Sequence, residues 1–158
     1  MASGIHKGEA RIRRAESHEY PALVELWRRS VQATHDFLHP ADLELIYRQM
    51  PALYLPGVRE VWLIETTGGQ GWRMGGFMGC NGSQVEMLFV EPELFGQGLG
   101  SALLRHARAR FGTLTLDVNE QNARALAFYR RQGFAITGRS PLDTGGRPYP
   151  LLHLAWRE

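Results

Sequence analysis

The sequence has a single cysteine in 158 residues, Cys80, and this scarcity excludes two classes of protein. One thiol cannot form an internal disulfide framework or a cysteine-based zinc cluster, and it suits a reducing compartment. No apolar run approaches the roughly 20 residues of a membrane span, and the N-terminus lacks the hydrophobic segment of a signal peptide. We therefore expect a cytoplasmic protein with no membrane partner.

The sequence also lacks a strong excess of charge. Its formal net charge is +2, and the arginines are spread over several segments, so no nucleic-acid partner is expected. Length and composition predict one domain over residues 9–158 after a disordered N-terminus of residues 1–8. Four isolated histidines are interpreted as surface or packing residues, so no metal site is expected: His6, His18, His106 and His153.

Hydrophobic spacing and turn residues predict alternating strands and helices. Strands are predicted at residues 10–14, 61–65, 74–79, 84–90, 113–118, 134–137 and 151–156. Helices are predicted to begin near Tyr20 with Ser17 as N-cap, at Pro40, after a glycine-rich loop and at Asn122, and to end by His39, Pro51, Gly112 and Gly133. The first helix is predicted to bury Leu23, Leu26, Trp27 and Val31. This order predicts an α/β fold, a mixed sheet flanked by about four helices.

Residues 86–101, EMLFVEPELFGQGLGS, join an apolar strand to a helix through that glycine-rich loop. Free N–H groups at a helix start, with the positive end of the helix dipole, favour an anion, most often a phosphate. A P-loop is excluded because no lysine follows Gly98 or Gly100. A dinucleotide-binding fingerprint would use Gly96, Gly98 and Asp117, but too little chain follows for such a domain. A turn that binds no ligand is the remaining alternative.

A second motif, LDVNEQNARALAFYRRQGF, occupies residues 116–134. It resembles the second signature of the GNAT superfamily of acyl-CoA-dependent N-acetyltransferases, in which a strand, a helix-opening asparagine, Phe-Tyr and Gly-Phe follow one another. The Val90-x-Pro92 turn with its three glycines resembles the first signature of that family, which cradles the pyrophosphate of coenzyme A. Phe95 departs from the pattern, since Arg or Gln usually begins the first signature. Together the two signatures cover residues 84–134.

The resemblance implies a GNAT fold, with a mostly antiparallel twisted sheet splayed at its middle, and acetyl-CoA as cofactor. It implies that backbone groups of the splayed strand bind the pantetheine arm and that loop amides hold the pyrophosphate. The implied cofactor-binding residues are Leu88, Phe89, Val90, Phe95, Gly96, Gln97, Gly98, Leu99, Gly100, Ser101, Asn122, Phe128 and Tyr129. For Asn122 a plain N-cap role is the alternative.

Two residues are expected to carry the chemistry. Tyr129 occupies the Phe-Tyr position of the second signature, which implies a general acid that protonates the coenzyme A thiolate. Glu86 lies just upstream of the implied acetyl site and is the expected base, acting through water, with His35 as a rival base. The alternatives are a half-buried aromatic for Tyr129, a solvated strand residue for Glu86 and a helix-end pair for His35 with Asp36.

Family likeness assigns acceptor recognition to the first two helices, their connection and the late strands. The implied acceptor residues are Trp27, His35, Asp36, Phe37 and Tyr149. Residues 27–38 and 138–152 are similar to a bacterial subgroup of N-acetyltransferases, a likeness that names no substrate.

The predicted function is transfer of an acetyl group from acetyl-CoA to a primary amine, on a small molecule or a peptide, by direct attack in a ternary complex. Neither signature contains a cysteine, which argues against an acyl-enzyme, although Cys80 is near enough in sequence to be considered. The alternative is a non-catalytic acyl-CoA-binding sensor or structural module, to which Phe95 would point. The resemblance also allows a homodimer.

Overall fold

The computed structural model describes residues 8–69 and 71–157. Residues 1–7 of the predicted disordered N-terminus, and Gln70 of the predicted hairpin loop, lie outside the described residues. Throughout the described part, each helix is too short or too polar to cross a membrane.

In the described residues, seven strands and four helices follow the order predicted from the sequence. The strands are β1 (Ala10–Arg14), β2 (Glu60–Thr67), β3 (Trp72–Asn81), β4 (Gln84–Val90), β5 (Leu114–Asn119), β6 (Ala135–Ser140) and β7 (Leu151–Trp156). The helices are α1 (Tyr20–Thr34), α2 (Pro40–Gln49), α3 (Leu99–Phe111) and α4 (Ala123–Arg131). Short 3-10 turns lie at Ser17–Glu19 and Pro92–Leu94, and a π turn at Met50–Tyr54.

The strands form one sheet in the order β1-β2-β3-β4-β5-β7-β6. Neighbouring strands are antiparallel except β4 and β5, which run parallel. The predicted mixed, mostly antiparallel sheet is therefore confirmed. The insertion of β7 between β5 and β6 brings the last strand of the chain beside the middle of the sheet.

One helix boundary differs from the prediction, and another agrees with it. Helix α1 begins at Tyr20 as expected, but Ser17 is not its N-cap, since Ser17 starts the 3-10 turn that precedes the helix. There the carboxylate of Glu19 accepts a hydrogen bond from the Glu16 N–H at 2.9 Å, so this backbone donor at the start of the turn has a partner. Helix α2 ends at Gln49, before Pro51 as predicted, and Pro51 lies in the first turn of the π turn, where a missing N–H is tolerated.

Each face of the sheet carries its own hydrophobic core. Helices α1 and α2 cover one face, which we call the α1–α2 face, and α3 and α4 cover the other, the α3–α4 face. Adjacent strand residues alternate between the two cores, as the two-residue period of a strand requires: Leu63 and Phe77 face α1, whereas Ile64 and Met78 face α3. The four residues of α1 predicted to be buried are each at most 5% exposed.

Strand β4 contains a β-bulge at Glu86. Val85 pairs with Cys80 and Met87 with Gly79, so Glu86 has no opposite residue on β3. The extra residue reverses the alternation of the strand, since Val85 packs in the α3–α4 core and Met87 in the α1–α2 core. Such a bulge bends a strand and increases its twist.

The bulge coincides with the point at which β4 and β5 separate. These strands share only the pairs Gln84 with Thr115 and Val85 with Leu116. Beyond them, residues 87–90 of β4 pair with β3 on one side, and on the other side they pair with no strand of the described part of the chain. The predicted splay is confirmed, and it leaves backbone groups that need a partner from a ligand or solvent.

Candidate active site

A cleft of about 570 Å³ runs through the splay. Residues of β4 and β5 form its middle, Ser30, Thr34 and His35 of the α1 end lie at one side, and the glycine loop with α3 and α4 lies at the other. Because α1 and α3 pack on opposite faces of the sheet, the cleft reaches both faces. We call the end of the cleft at Ser30, Thr34 and His35 the α1 mouth, and the end at the glycine loop the loop mouth.

The cleft collects nearly all of the predicted cofactor and catalytic residues. Its lining includes Glu86, Leu88, Phe89, Val90, Phe95, Gly96, Gly98, Leu99, Gly100, Ser101, Asn122, Phe128 and Tyr129. Gln97 of that predicted set does not line it. Of the predicted acceptor residues, His35 lines the cleft, whereas Trp27, Asp36, Phe37 and Tyr149 do not.

The glycine loop presents free backbone N–H groups at the loop mouth. Gly96 and Gly98 have φ angles of 78° and 83°, which strain any residue with a side chain. Gly98 is the N-cap of α3, so the first amides of the helix have no intrahelical acceptor. Among the described residues, no N–H of residues 96–101 donates a hydrogen bond. Unpaired donors at the positive end of a helix dipole form a site suited to a phosphate.

Helix α4 packs directly against this loop. A Cβ added at Gly100 would lie 3.2 Å from Phe128 Cζ, so the glycine allows the ring to contact the loop backbone. The Gln132 amide donates to Ser101 Oγ at 2.8 Å and connects the two helices. Asn122 Oδ1 accepts from the Ala125 N–H at 3.2 Å, so the N-cap role of Asn122 is observed.

Tyr129 is held rigidly inside the cleft wall. It is 9% exposed, and its ring meets Phe128 and Phe134 edge-on with centroids 5.2 and 5.7 Å away. Burial raises the pKa of Tyr129 above its ordinary value near 10, because the phenolate would lose its hydration. The phenol is therefore protonated at neutral and moderately alkaline pH and can donate a proton or a hydrogen bond.

His35 has a defined tautomer. The Thr34 hydroxyl donates to the Ser30 carbonyl at 2.8 Å and lies 2.7 Å from His35 Nδ1. Since the hydroxyl proton is already used, Nδ1 must donate, which leaves Nε2 as the acceptor. Burial lowers the pKa of His35 below its ordinary value, so the ring is neutral at pH 7.

The other predicted acceptor residues lie near the α1 mouth but outside the cleft lining. Phe37 packs on His35 with ring centroids 5.1 Å apart, and on Tyr149 at 6.3 Å. The Tyr149 hydroxyl donates to Asp42 and accepts from the His39 N–H, which joins the α1–α2 connection to the loop before β7. Trp27 is buried against Phe89. Asp36 is exposed beside this cluster.

An ion pair joins α1 to the start of the glycine loop. Arg29 donates two hydrogen bonds to the Glu91 carboxylate, at 2.7 and 2.8 Å. Glu91 is 5% exposed, and a bidentate pair of this kind is both strong and directional. The pair sets the position of the α1 mouth relative to the loop mouth.

Cys80 is excluded as a nucleophile. It is fully buried, lies outside the cleft lining, and burial raises the pKa of its thiol to about 12. A protonated, inaccessible thiol cannot attack a thioester at neutral pH.

The cleft also contains residues that the sequence reasoning did not assign to it. Asp117 was considered only as a ribose-binding acid, yet it lines the cleft on β5, and Arg124 and Arg131 line it from α4. The alternation of Leu116, Asp117 and Val118 already indicates that the carboxylate points away from the α3–α4 core. Its place in the cleft follows only from the splay.

Comparison with known proteins defines the class. Residues 58–136 match the family model described as acetyltransferase (GNAT) domain. The chain therefore belongs to the GNAT family of acetyltransferases, whose cosubstrate is acetyl-CoA.

Particular relatives resemble the chain along nearly its whole length. Peptidyl-lysine N-acetyltransferase YjaB of Salmonella typhimurium is 41% identical over 148 residues, which cover 92% of this chain and 97% of that protein. The solution structure of apo YjaB from Escherichia coli has a TM-score of 0.84 and 38% identity, and the match covers 94% of this chain and 97% of that one.

A more distant structure shows the same fold. The PaiA N-acetyltransferase from Thermoplasma acidophilum, in complex with coenzyme A, has a TM-score of 0.68 at 17% identity, covering 95% of this chain and 99% of that one. The family and the close relatives establish the chain as an acetyl-CoA-dependent N-acetyltransferase that transfers acetyl to an amine. The catalytic prediction is thus confirmed over the alternative of a non-catalytic binding module.

Proposed function

We propose that the acceptor is the side-chain amine of a lysine in a peptide or protein. The carrying observation is the charge of the cleft lining, where Glu86 and Asp117 flank the splay on β4 and β5. A lysine side chain is long, flexible and cationic, so it can reach the splay through the α1 mouth and meet these carboxylates. The name of the Salmonella typhimurium relative, peptidyl-lysine N-acetyltransferase YjaB, supports the same acceptor.

The loop mouth supplies the site proposed for acetyl-CoA. The free N–H groups of residues 96–101 would bind the pyrophosphate, and Arg124 and Arg131 add positive charge nearby. The unpaired edge of residues 88–90 would bond the amide-rich pantetheine arm. The N–H near Leu88 would polarise the thioester carbonyl, as an oxyanion site does.

Chemistry then needs one acid and one base. Glu86 removes a proton from the acceptor ammonium through water, and the free amine attacks the thioester carbon within the ternary complex. As the C–S bond breaks, the Tyr129 phenol donates its proton to the leaving thiolate. The exposure of Glu86 at its bulge gives water access to the carboxylate, and the burial of Cys80 supports direct attack over an acyl-enzyme.

We expect the purified enzyme to form Nε-acetyl-lysine on lysine-containing peptides with acetyl-CoA. Mass spectrometry of the peptides and release of free thiol would measure the reaction, with N-acetylated norleucine peptides as the control. Lys7 is the only lysine in the sequence, so the Lys7→Arg variant removes self-acetylated lysine from the background. Turnover of polyamines or aminoglycosides without turnover of any peptide would assign the acceptor to a small amine instead.

The identity of the base is a separate prediction. Glu86→Gln is expected to lower kcat/KM about 10²-fold, and His35→Asn by less than about tenfold. His35 is the second candidate because its Nε2 has no hydrogen-bond partner among the described residues and its ring is neutral at pH 7. If His35 were the base, its variant would show the larger loss. In that case wild-type kcat/KM would fall only at a pH below the ordinary histidine pKa, because burial lowers the pKa of His35 and protonation of Nε2 removes the acceptor.

We further propose that residues 9–158 form one domain, because a single sheet includes strands from Ala10 to Trp156. A cytoplasmic location and a homodimer stay predictions from the sequence.

A further inference from the structure

Three polar side chains form a hydrogen-bonded chain across three adjacent strands. Asp117 Oδ1 of β5 lies 2.6 Å from His153 Nδ1 of β7, and His153 Nε2 lies 2.7 Å from Ser140 Oγ of β6. None of these residues belongs to the predicted catalytic or cofactor set. His153, interpreted from sequence as a surface or packing residue, is the middle of this chain.

The backbone geometry allows these three side chains to reach one another. Asp117 and His153 are direct cross-strand partners. On the other side Gly138 stands opposite His153, and a Cβ there would lie 3.3 Å from His153 Cδ2, so the glycine leaves room for the ring. An irregularity in β6 between Ile136 and Gly138 sets the register in which Ser140 reaches Nε2.

The hydrogen bonds through His153 hold the Asp117 carboxylate in place whether the imidazole is neutral or protonated. With a neutral ring, Nδ1–H donates to Asp117 and the Ser140 hydroxyl donates to Nε2. When the ring is protonated, the hydroxyl rotates and accepts. Asp117 Oδ2 receives no hydrogen bond from the described residues, and the side chain is 33% exposed. One oxygen is therefore fixed and the other is available to a ligand.

Asp117 projects to the α1–α2 side of the sheet, the side of the α1 mouth through which the acceptor is proposed to enter. Leu116 and Val118 belong to the α3–α4 core, so Asp117 between them faces the α1–α2 side. Asp117 lines the cleft but Ser140 and His153 do not. The three residue types match those of a hydrolase triad, yet the serine is at the end remote from the cleft and cannot act on a thioester there.

We propose that Asp117 Oδ2 binds the ammonium of the acceptor and that His153 and Ser140 position this carboxylate. Asp117 then determines the preference of the enzyme for cationic amines. The inference rests on the proposed lysine acceptor and names the residue that selects it.

The test separates binding of the charge from the shape of the cleft. Asp117→Asn keeps an oxygen that can accept from His153 but removes the negative charge. We expect KM for a lysine peptide to rise about 10- to 100-fold, since bonds to charged groups are worth more than neutral ones. The Kd of acetyl-CoA should not change. The inhibition constant of the matching norleucine peptide, which lacks the ammonium, should also stay within about twofold.

The positioning role has its own readout. Ser140→Ala should raise KM for the lysine peptide by about two- to tenfold with kcat unchanged, because the carboxylate is less well held. Ser140→Thr, which keeps the hydroxyl, should have the KM of the wild type. Thr115→Ala is the matched control, since Thr115 is an exposed polar residue two positions before Asp117 on the same strand and lies outside the cleft lining.

Each failure has a distinct signature. If wild-type enzyme acetylates lysine peptides and Asp117→Asn shows an unchanged KM, the inference is wrong while the proposed function stands. A parallel rise of the norleucine inhibition constant would mean that Asp117 only shapes the cleft. If wild-type enzyme acetylates no lysine peptide, the proposed function itself fails. Should Asp117→Asn fold poorly by its melting temperature, the Ser140→Ala and Ser140→Thr comparison decides the inference.

Discussion

Replacing Tyr129 with phenylalanine is expected to lower kcat about 10²- to 10⁴-fold, the usual contribution of a positioned general acid. The phenyl ring keeps the edge-on contacts with Phe128 and Phe134, so the cleft wall should not collapse. Binding of acetyl-CoA, measured by calorimetry, should therefore stay close to that of the wild type. Tyr47→Phe is the matched control, because Tyr47 lies on α2 away from the cleft.

The pH profile tests the same role independently. Burial raises the pKa of Tyr129 above its ordinary value, so the proton is retained as the pH rises. We expect wild-type kcat to show no alkaline decline between about pH 8 and 10. A decline within that range, or a Tyr129→Phe variant with wild-type kcat, would assign the acid to another group.

Replacing Gly98 with valine is expected to abolish detectable binding of acetyl-CoA. Gly98 has φ of 83° at the start of α3, and an L-residue there costs about 1–2 kcal/mol, more if β-branched. Relief of that strain turns the loop and misdirects its N–H groups. For the wild type, acetyl-CoA at a hundredfold excess over its Kd should add about 2.7 kcal/mol of stability, a rise in melting temperature of roughly 5 to 10 °C. The variant should show no rise at the same concentration.

Gly82→Val separates backbone strain from loss of the site. Gly82 also has positive φ, 58°, but lies in the turn between β3 and β4 and does not line the cleft. This variant should melt at a lower temperature without ligand and still gain the full rise with acetyl-CoA. A full rise for Gly98→Val as well would show that the glycine loop does not hold the cofactor.

The order of elements could be predicted because the signals for it are local. Gly112 adopts positive φ directly after α3, and Gly133 does so directly after the C-cap of α4. Asn122 caps α4 at its other end, and period-two alternation marks β5. The loop and α4 signatures lie within one continuous stretch of chain, and the residues they named, except Gln97, lie together in the cleft. Helix ends were predicted less well, since the choice among Glu16, Ser17 and Glu19 depends on side-chain geometry.

The acceptor side could not be predicted to the same depth. Trp27 and Tyr149 are aromatic residues near the right elements, but both are buried in packing that joins distant segments. The bulge at Glu86 leaves no local sequence signal, because it is defined by what stands opposite on β3. The sequence places Asp117 clearly on a strand, but its position in the cleft depends on where β4 separates from β5.

The sequence by itself determined the family, the cofactor, the order of strands and helices, and the loop with its free amides. The family and the cofactor follow from the resemblance of residues 84–134 to the two GNAT signatures. The order of elements and the loop follow from glycine conformation, helix ends and hydrophobic period, which act over a few residues. The tertiary structure decided where the sheet opens, which residues reach the α1 mouth, and that Asp117, His153 and Ser140 meet. Those features depend on strand register and on β7 entering between β5 and β6, which join residues far apart in the chain.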